Sequence, residues 1–288
     1  ANDHPAIRTW LCQQLGVHEI TLSILPGATS ATVFNVQSSA GNHILRVFDS
    51  AKWASSTAAL TEREALILRT LEPTNILAPQ LVARHKDNGV LMSILPGAVK
   101  LPLRPGDRWL GSLARELGRI HATDAPLPWQ YESWNNVMEK AAPVWWRDTG
   151  LWREAQRMVD RQPVTPEGLI HRDFHPTNVL WQGPAISGIV DWVNACRGPA
   201  AVDVAHCRLN LALLYGQRAA DRFLSAYCAI QADFEYAAFW DIDSALGTLP
   251  DLRSYPPWQE FGLPAIETVL PRRRLQRFVR LAVAGIRS

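Results

Sequence analysis

The chain has 288 residues, of which 47% are apolar, so it can bury a sizeable core and is neither disordered nor fibrous. A formal net charge of +2 sets it apart from dedicated nucleic-acid binders, whose domains are markedly basic. No uninterrupted apolar stretch approaches the length of a membrane span, and the start, "ANDHPAIRTWLCQQL", lacks the basic-then-apolar order of a secretory signal.

The first hundred residues predict strands. Glu19–Leu25, Ala31–Gln37 and His43–Phe48 carry β-branched or alternating apolar residues, separated by the turn segments "PGATS" and "SSAGN". A helix is expected over about Thr57–Leu71, with Leu60, Ala65, Leu66 and Leu68 near helical spacing. Asp87-Asn88-Gly89 then joins two strands of a hairpin, and Pro96-Gly97 closes that unit as the expected hinge.

From Asp107 the pattern turns helical, with Leu110, Leu113, Leu117 and Ile120 on one face. A Trp-rich stretch, Trp129–Trp152, follows as helix with loops. The twelve tryptophans are expected in the core or in cleft walls. A short β element, "GIVDW" (Gly188–Trp192), precedes a largely helical remainder from Val202. The four cysteines Cys12, Cys196, Cys207 and Cys228 have neither C-x-x-C nor zinc spacing, which fits reduced thiols in a cytoplasmic protein.

Charge is uneven in the second half. From Asp221 to Glu267 eight acids face only Arg222 and Arg253, and the tail then carries Arg272, Arg273, Arg274, Arg277, Arg280 and Arg287. One reading is a solvated acidic face beside a basic closing helix; the other is an acidic wall for a cationic substrate.

The richest stretch is "GLIHRDFHPTNVLW", Gly168–Trp181. His171, Asp173 and Asn178 fit H-x-D-x-x-x-x-N, the pattern of a phosphoryl-transfer catalytic loop. Asp173 can accept the hydrogen bond of an acceptor hydroxyl and later its proton. Asn178 offers a neutral oxygen to Mg²⁺, and Pro176 stiffens the loop. Thirteen residues on, Asp191 ends "SGIVDW". The runs "NVLW" and "SGIVDW" read as a hairpin carrying Asn178 toward Asp191, as a metal site for nucleotide phosphates requires.

These residues resemble the aminoglycoside phosphotransferase and choline kinase-like group, relatives of the protein kinases. The resemblance covers about Leu22–Leu213 and includes "LIHRDFHPTNVLW", "GIVDWVNACRGPAAVDVAH" and "LGRIHA". It implies an α+β, two-lobed protein-kinase-like fold with a small β-rich N-lobe and a larger, mostly α C-lobe. Residues 1–97 would be the nucleotide-binding lobe and residues 98–288 the catalytic and acceptor-binding lobe.

Position by position, it implies Asp173 as catalytic base and Asn178 and Asp191 as Mg²⁺ ligands. His171 would brace the loop, and His175 would brace it or touch substrate. Asp203 would hold the loop by hydrogen bonds or cap the next helix. Arg46 stands where the family commonly has the phosphate-gripping Lys; its partner would be Glu64, with Glu62 the alternative. Gly27 and Ser30 would cover the phosphates, although the glycine-rich pattern of protein kinases is missing. Backbone around Met92 and Ile94 would meet adenine.

The expected activity is transfer of the γ-phosphate of ATP or GTP to a hydroxyl of a small, cationic acceptor such as an aminoglycoside. The alternatives are a metabolic kinase acting on homoserine, choline or a sugar, a macrolide kinase, a protein kinase, or a non-catalytic nucleotide binder. Expected partners are the nucleoside triphosphate and the acceptor, with no nucleic acid and no membrane.

Overall fold

The computed structural model describes residues 5–26, 31–49, 56–133, 136–160, 162–249, 252 and 257–287. The chain divides into two compact units. One comprises Ala1–Ala98 with Leu180–Gly183 and Ser187–Asn194; the other comprises Val99–Val179, Pro184–Ile186 and Ala195–Ser288.

The first unit is built on a five-stranded antiparallel sheet. Its strands are β1 (Ile20–Leu25), β2 (Thr32–Ser38), β3 (Gly41–Val47), β4 (Leu81–Arg84) and β5 (Gly89–Ser93), in the order β1-β2-β3-β5-β4. Alternation sorts the side chains. Phe34, Val36, Leu45, Val47 and Leu91 cluster with Ile7 and Leu11 of helix α1 (Pro5–Leu15). Full burial of each such side chain stabilises by about 1.5–3 kcal/mol. The N-terminal segment, read above only for the absence of a signal, is thus a helix that covers one sheet face.

Arg46 lies between Leu45 and Val47 in β3 and so points to the opposite face. It is nonetheless buried, because Glu64 of helix α2 (Thr57–Leu71) meets it there. The buried residues of α2 are Thr61, Glu64, Ala65, Ile67, Leu68 and Leu71. Leu66, expected on the apolar face, is exposed; the inward stripe is rotated to include the polar Glu64.

The short strand β6 (Ala98–Val99) pairs with β8 (Val179–Gln182), whose hairpin with β9 (Ala185–Ile189) turns at Gly183, φ 60°. The strand expected through Trp192 stops at Ile189, and a 3₁₀ turn covers Trp192–Asn194. Gly97 adopts φ 92°, and a Cβ there would come within 2.5 Å of the Trp181 carbonyl oxygen and of Ser187 Oγ. Gly97 is required twice over, by backbone conformation and by the close approach.

The second unit is mostly helical, with α4 (Thr149–Met158) and the short α8 (Pro257–Glu260) among its helices. Helix α3 (Asp107–His121) buries Leu110, Leu113, Ala114, Leu117 and Ile120 and packs on α6 (Gln217–Ile230). Helix α5 (Ala200–Tyr215) is buried nearly all round and packs against α6, α7 (Ala238–Gly247) and α9 (Val269–Arg287), as expected of a central helix. It ends at Gly216, φ 92°, where Arg274 donates to the Leu213 and Leu214 carbonyls. A two-stranded antiparallel sheet pairs β7 (Glu167–Ile170) with β10 (Cys196–Pro199), which delivers the chain into α5.

Part of the acidic segment is spent inside this unit. Arg208 of α5 and Asp241 of α7 are both buried and pair at 3.0 Å; Arg208 also bonds the Ala220 carbonyl, and Tyr236 donates to Asp241. Arg208→Ala is expected to cost about 3–5 kcal/mol in urea unfolding, because it strands the Asp241 charge. A loss below ~1 kcal/mol would mean that water reaches Asp241.

Candidate active site

The segment 171–178 is shaped by α5. Asp203, in the first turn of that helix and with no exposed surface, accepts from the backbone N–H of His171 at 2.7 Å and of Arg172 at 2.6 Å. His121 Nε2 lies 3.1 Å from the same carboxylate, and its Nδ1 lies 2.5 Å from the Tyr227 hydroxyl. The pairing of β7 with β10 makes this possible by bringing the strand before the loop beside the strand that enters α5.

Held this way, Arg172 takes a left-handed backbone, φ 68°. That is unusual for a long side chain and persists only where surrounding contacts over-determine it. The Arg172 guanidinium donates to the Glu132 carbonyl and lies 5.0 Å from the centre of the Tyr131 ring. His171 is fully buried, and its Nδ1 accepts from the Asp173 backbone N–H at 3.2 Å.

Asp173 follows at the loop apex. His206 Nε2 lies 3.1 Å and His175 Nε2 3.5 Å from its Oδ1. Burial works to raise the Asp173 carboxyl, but the charge of His175 and the bond and charge of His206, with His171 behind them, outweigh it and hold the group well below the usual carboxylate range. The Asn178 amide nitrogen donates to the Asp173 carbonyl at 2.9 Å and to its Oδ2 at 3.3 Å, and lies 3.2 Å from His175 Nε2. These contacts engage the nitrogen of Asn178, whose oxygen is the atom suited to a hard cation. A 3₁₀ turn, Pro176–Asn178, sets that residue, with the Asn178 N–H on the His175 carbonyl at 2.9 Å.

In the sheet-containing unit, Arg46 is shared by two carboxylates, Glu64 at 2.9 Å and Asp191 at 2.6 Å. Desolvation works to lower the Arg46 pKa, but Asp191 and Glu64 together raise it above its ordinary value, so the charge is permanent. Asp191 also has a left-handed backbone, φ 68°. Its side chain stays 29% exposed while Glu64 is buried, so Asp191 is the carboxylate that can exchange partners. Met92 is buried in β5, and Ile94, just past that strand, is exposed. Gly27 and Ser30 lie outside the described residues.

Two site residues escaped sequence reasoning. His206 touches the Asp173 carboxylate, and His121 holds the far side of Asp203. The signal for His206 was its place three residues after Asp203 on one helix, which sets both on neighbouring positions of the same face.

Residues 21–240 match the model of the phosphotransferase enzyme family, and the chain belongs to that family. It is 27% identical over 162 residues to a homoserine kinase of Pseudomonas aeruginosa, covering 51% of this chain and 45% of the relative. It is 29% identical over 201 residues to a homoserine kinase of Rhodospirillum rubrum, covering 60% of this chain and 61% of the relative. The chain thus spans between about half and three fifths of the length of these curated relatives.

Among solved structures, it resembles the aminoglycoside phosphotransferase APH(4)-Ia with a TM-score of 0.63 at 15% identity, covering 96% of this chain and 99% of that one. It also resembles the amicoumacin kinase hAmiN, solved with AMP-PNP, Ca²⁺ and amicoumacin, with a TM-score of 0.63 at 14% identity over 98% and 94%. The fold is therefore α+β and kinase-like: a β-sheet N-terminal region followed by a helical C-terminal region. Among the described residues no helix is long and apolar enough to cross a membrane.

Proposed function

We propose that the protein is a small-molecule kinase that moves the γ-phosphate of ATP or GTP onto a hydroxyl of a small acceptor. The observation that carries this reading is the Asp173 loop, hung from Asp203 with Arg172 in a left-handed conformation and with Asn178 bonded to the base. Such an arrangement fixes a carboxylate at an apex, as an acceptor hydroxyl requires.

Asp173 accepts the hydroxyl's hydrogen bond and orients its oxygen. The bond from that oxygen to phosphorus forms as the bond from phosphorus to the nucleoside diphosphate breaks, and the proton passes to Asp173. Because its neighbours hold the carboxyl down, Asp173 contributes mainly orientation and late proton acceptance, which suits a loose transition state. Asn178 and Asp191 are the proposed oxygen ligands of Mg²⁺, which when bound neutralises charge on the phosphates. Arg46, kept in place by Glu64, exchanges Asp191 for phosphate oxygens. Gly27 and Ser30 are proposed to cover the phosphates, with adenine against Met92 and Ile94. Residues 1–97 serve the nucleotide and residues 98–288 the chemistry and the acceptor, in a cytoplasmic enzyme.

The proposed acceptor is a cationic, sugar-like compound such as an aminoglycoside. The acidic segment supports it less than its composition suggests. Asp241 is committed to Arg208, and burial raises the Asp243 carboxyl against the nearby Lys140 charge. Asp233, Glu235, Glu260 and Glu267 remain exposed. A second reading, homoserine or a comparable amino alcohol, is favoured by the names of the sequence relatives.

Nucleotide consumption with ATP and GTP over a panel of aminoglycosides, macrolides, choline and homoserine tests this. Turnover that depends on one acceptor identifies the class; nucleotide binding without turnover on any of them favours a binding module. Asp191→Ala is expected to weaken Mg²⁺-nucleotide binding by about tenfold or more, the equivalent of ~1.4 kcal/mol per decade. Unchanged metal dependence in a calorimetric titration would remove Asp191 from the site.

A further inference from the structure

We propose that Asp173, His175 and His206 form a second metal site, one that takes a borderline divalent ion such as Zn²⁺. One ligand atom from each lies within 4.8 Å of the other two. Two separations are shorter: Asp173 Oδ1 to His206 Nε2 is 3.1 Å, and Asp173 Oδ1 to His175 Nε2 is 3.5 Å. A tetrahedral ion with bonds of about 2.0–2.1 Å sets its ligand atoms about 3.3 Å apart. The carboxylate and each imidazole thus already stand at the edge length of a zinc tetrahedron, and only the two rings have to close on one another.

The donor set decides which ion binds. Two imidazole nitrogens and one carboxylate suit zinc and its neighbours, whereas Mg²⁺ prefers an all-oxygen shell. The ring orientations are supported from outside the site. Thr177 Oγ1 lies 2.8 Å from His175 Nδ1; with the hydroxyl accepting there, Nε2 is the ring nitrogen left to ligate on the side of Asp173 and Asn178. Asn210, one turn along α5, sets its side-chain amide nitrogen 3.2 Å from His206 Nε2. Binding would replace the Asn178 and Asn210 contacts at these nitrogens. Three protein ligands leave a fourth position for water.

The consequence for activity rests on the kinase reading; the binding does not. A zinc ion on Asp173 occupies the oxygen that the acceptor hydroxyl needs, so zinc inhibits while Mg²⁺ supports turnover.

The test uses the full chain, stripped of metal and free of nucleotide. Co²⁺ is titrated and its visible absorption followed, then Zn²⁺ is added in competition. The expected result is one site of four- or five-coordinate Co²⁺ without sulfur charge-transfer bands, displaced by Zn²⁺. His206→Ala should weaken zinc binding by about 100-fold or more, beyond the 10- to 100-fold typical of losing a supporting contact. His175→Ala should do the same, and serves if His206→Ala does not fold.

Equal zinc affinity in the wild type and both histidine variants overturns the site, as does a cobalt spectrum showing thiolate ligation. If zinc binds through these residues but no acceptor is ever phosphorylated, the site stands and the kinase reading fails. If the chain is an active kinase that zinc does not bind, the reverse holds.

Discussion

Asp173→Ala is expected to lower kcat by about 10²–10⁴-fold, the range of a positioned general base. The effect should fall on kcat, with nucleotide affinity retained, since Arg46, Glu64 and Asp191 are untouched. Asp173→Asn is the sharper variant. It keeps the volume and most of the contacts to Asn178 and His206, yet cannot take a proton. If the carboxylate acts mainly by orientation, as its depressed pKa argues, Asn should recover part of the loss that Ala shows. Single-turnover measurement of phosphoryl transfer separates this step from product release. Full turnover in Asp173→Ala would remove the base from the mechanism and with it the reading of the loop.

Asp203→Ala carries the largest expected cost in stability. Its carboxylate is fully buried and takes two backbone N–H donors and His121. Removing it leaves those N–H groups buried without partners, at about 1–3 kcal/mol each. The left-handed Arg172 would then lose the contacts that hold it and relax. Asp203 is therefore expected to register twice: in a lower urea midpoint, and in faster amide exchange confined to His171 and Arg172 at low denaturant. Asp203→Asn keeps one acceptor oxygen and should fall between. A midpoint within ~0.5 kcal/mol of the wild type would show that the loop is held by its own residues.

The two outcomes distinguish chemistry from scaffolding. Asp173 is partly exposed, so its loss is expected to fall on activity; Asp203 is buried, so its loss is expected to fall on stability as well. An aspartate-to-alanine scan read by activity alone would score them alike.

The strands and helices were legible because they are local. β2 and β3 carry β-branched and apolar residues between turn segments, α3 carries its apolar residues at helical spacing, and Asp87-Asn88-Gly89 marks a turn. His171, Asp173 and Asn178 were legible for the same reason, since one loop of eight residues contains all three. The misreadings have a common origin too. Helix α1 has little patterning of its own and is recognised by the sheet it covers. The inward face of α2 turned toward Glu64 because Arg46, eighteen residues earlier, needed a buried carboxylate.

Fold class and the grouping of the loop residues were therefore written in short-range pattern: hydrophobic period for the elements, residue types at fixed spacing for the loop. Pairings between distant positions were not. Arg46 meets Asp191 across 145 residues, and Asp203 meets His171 across 32. His206 reaches Asp173 from α5, whose apolar and polar residues follow no single stripe and so hide the histidine's direction. Spacing rules for zinc found nothing, because the candidate ligands come from a loop and a helix brought together through β7 and β10. Such contacts depend on how elements pack, and packing is a property of the whole set of buried surfaces, which no single stretch of chain carries.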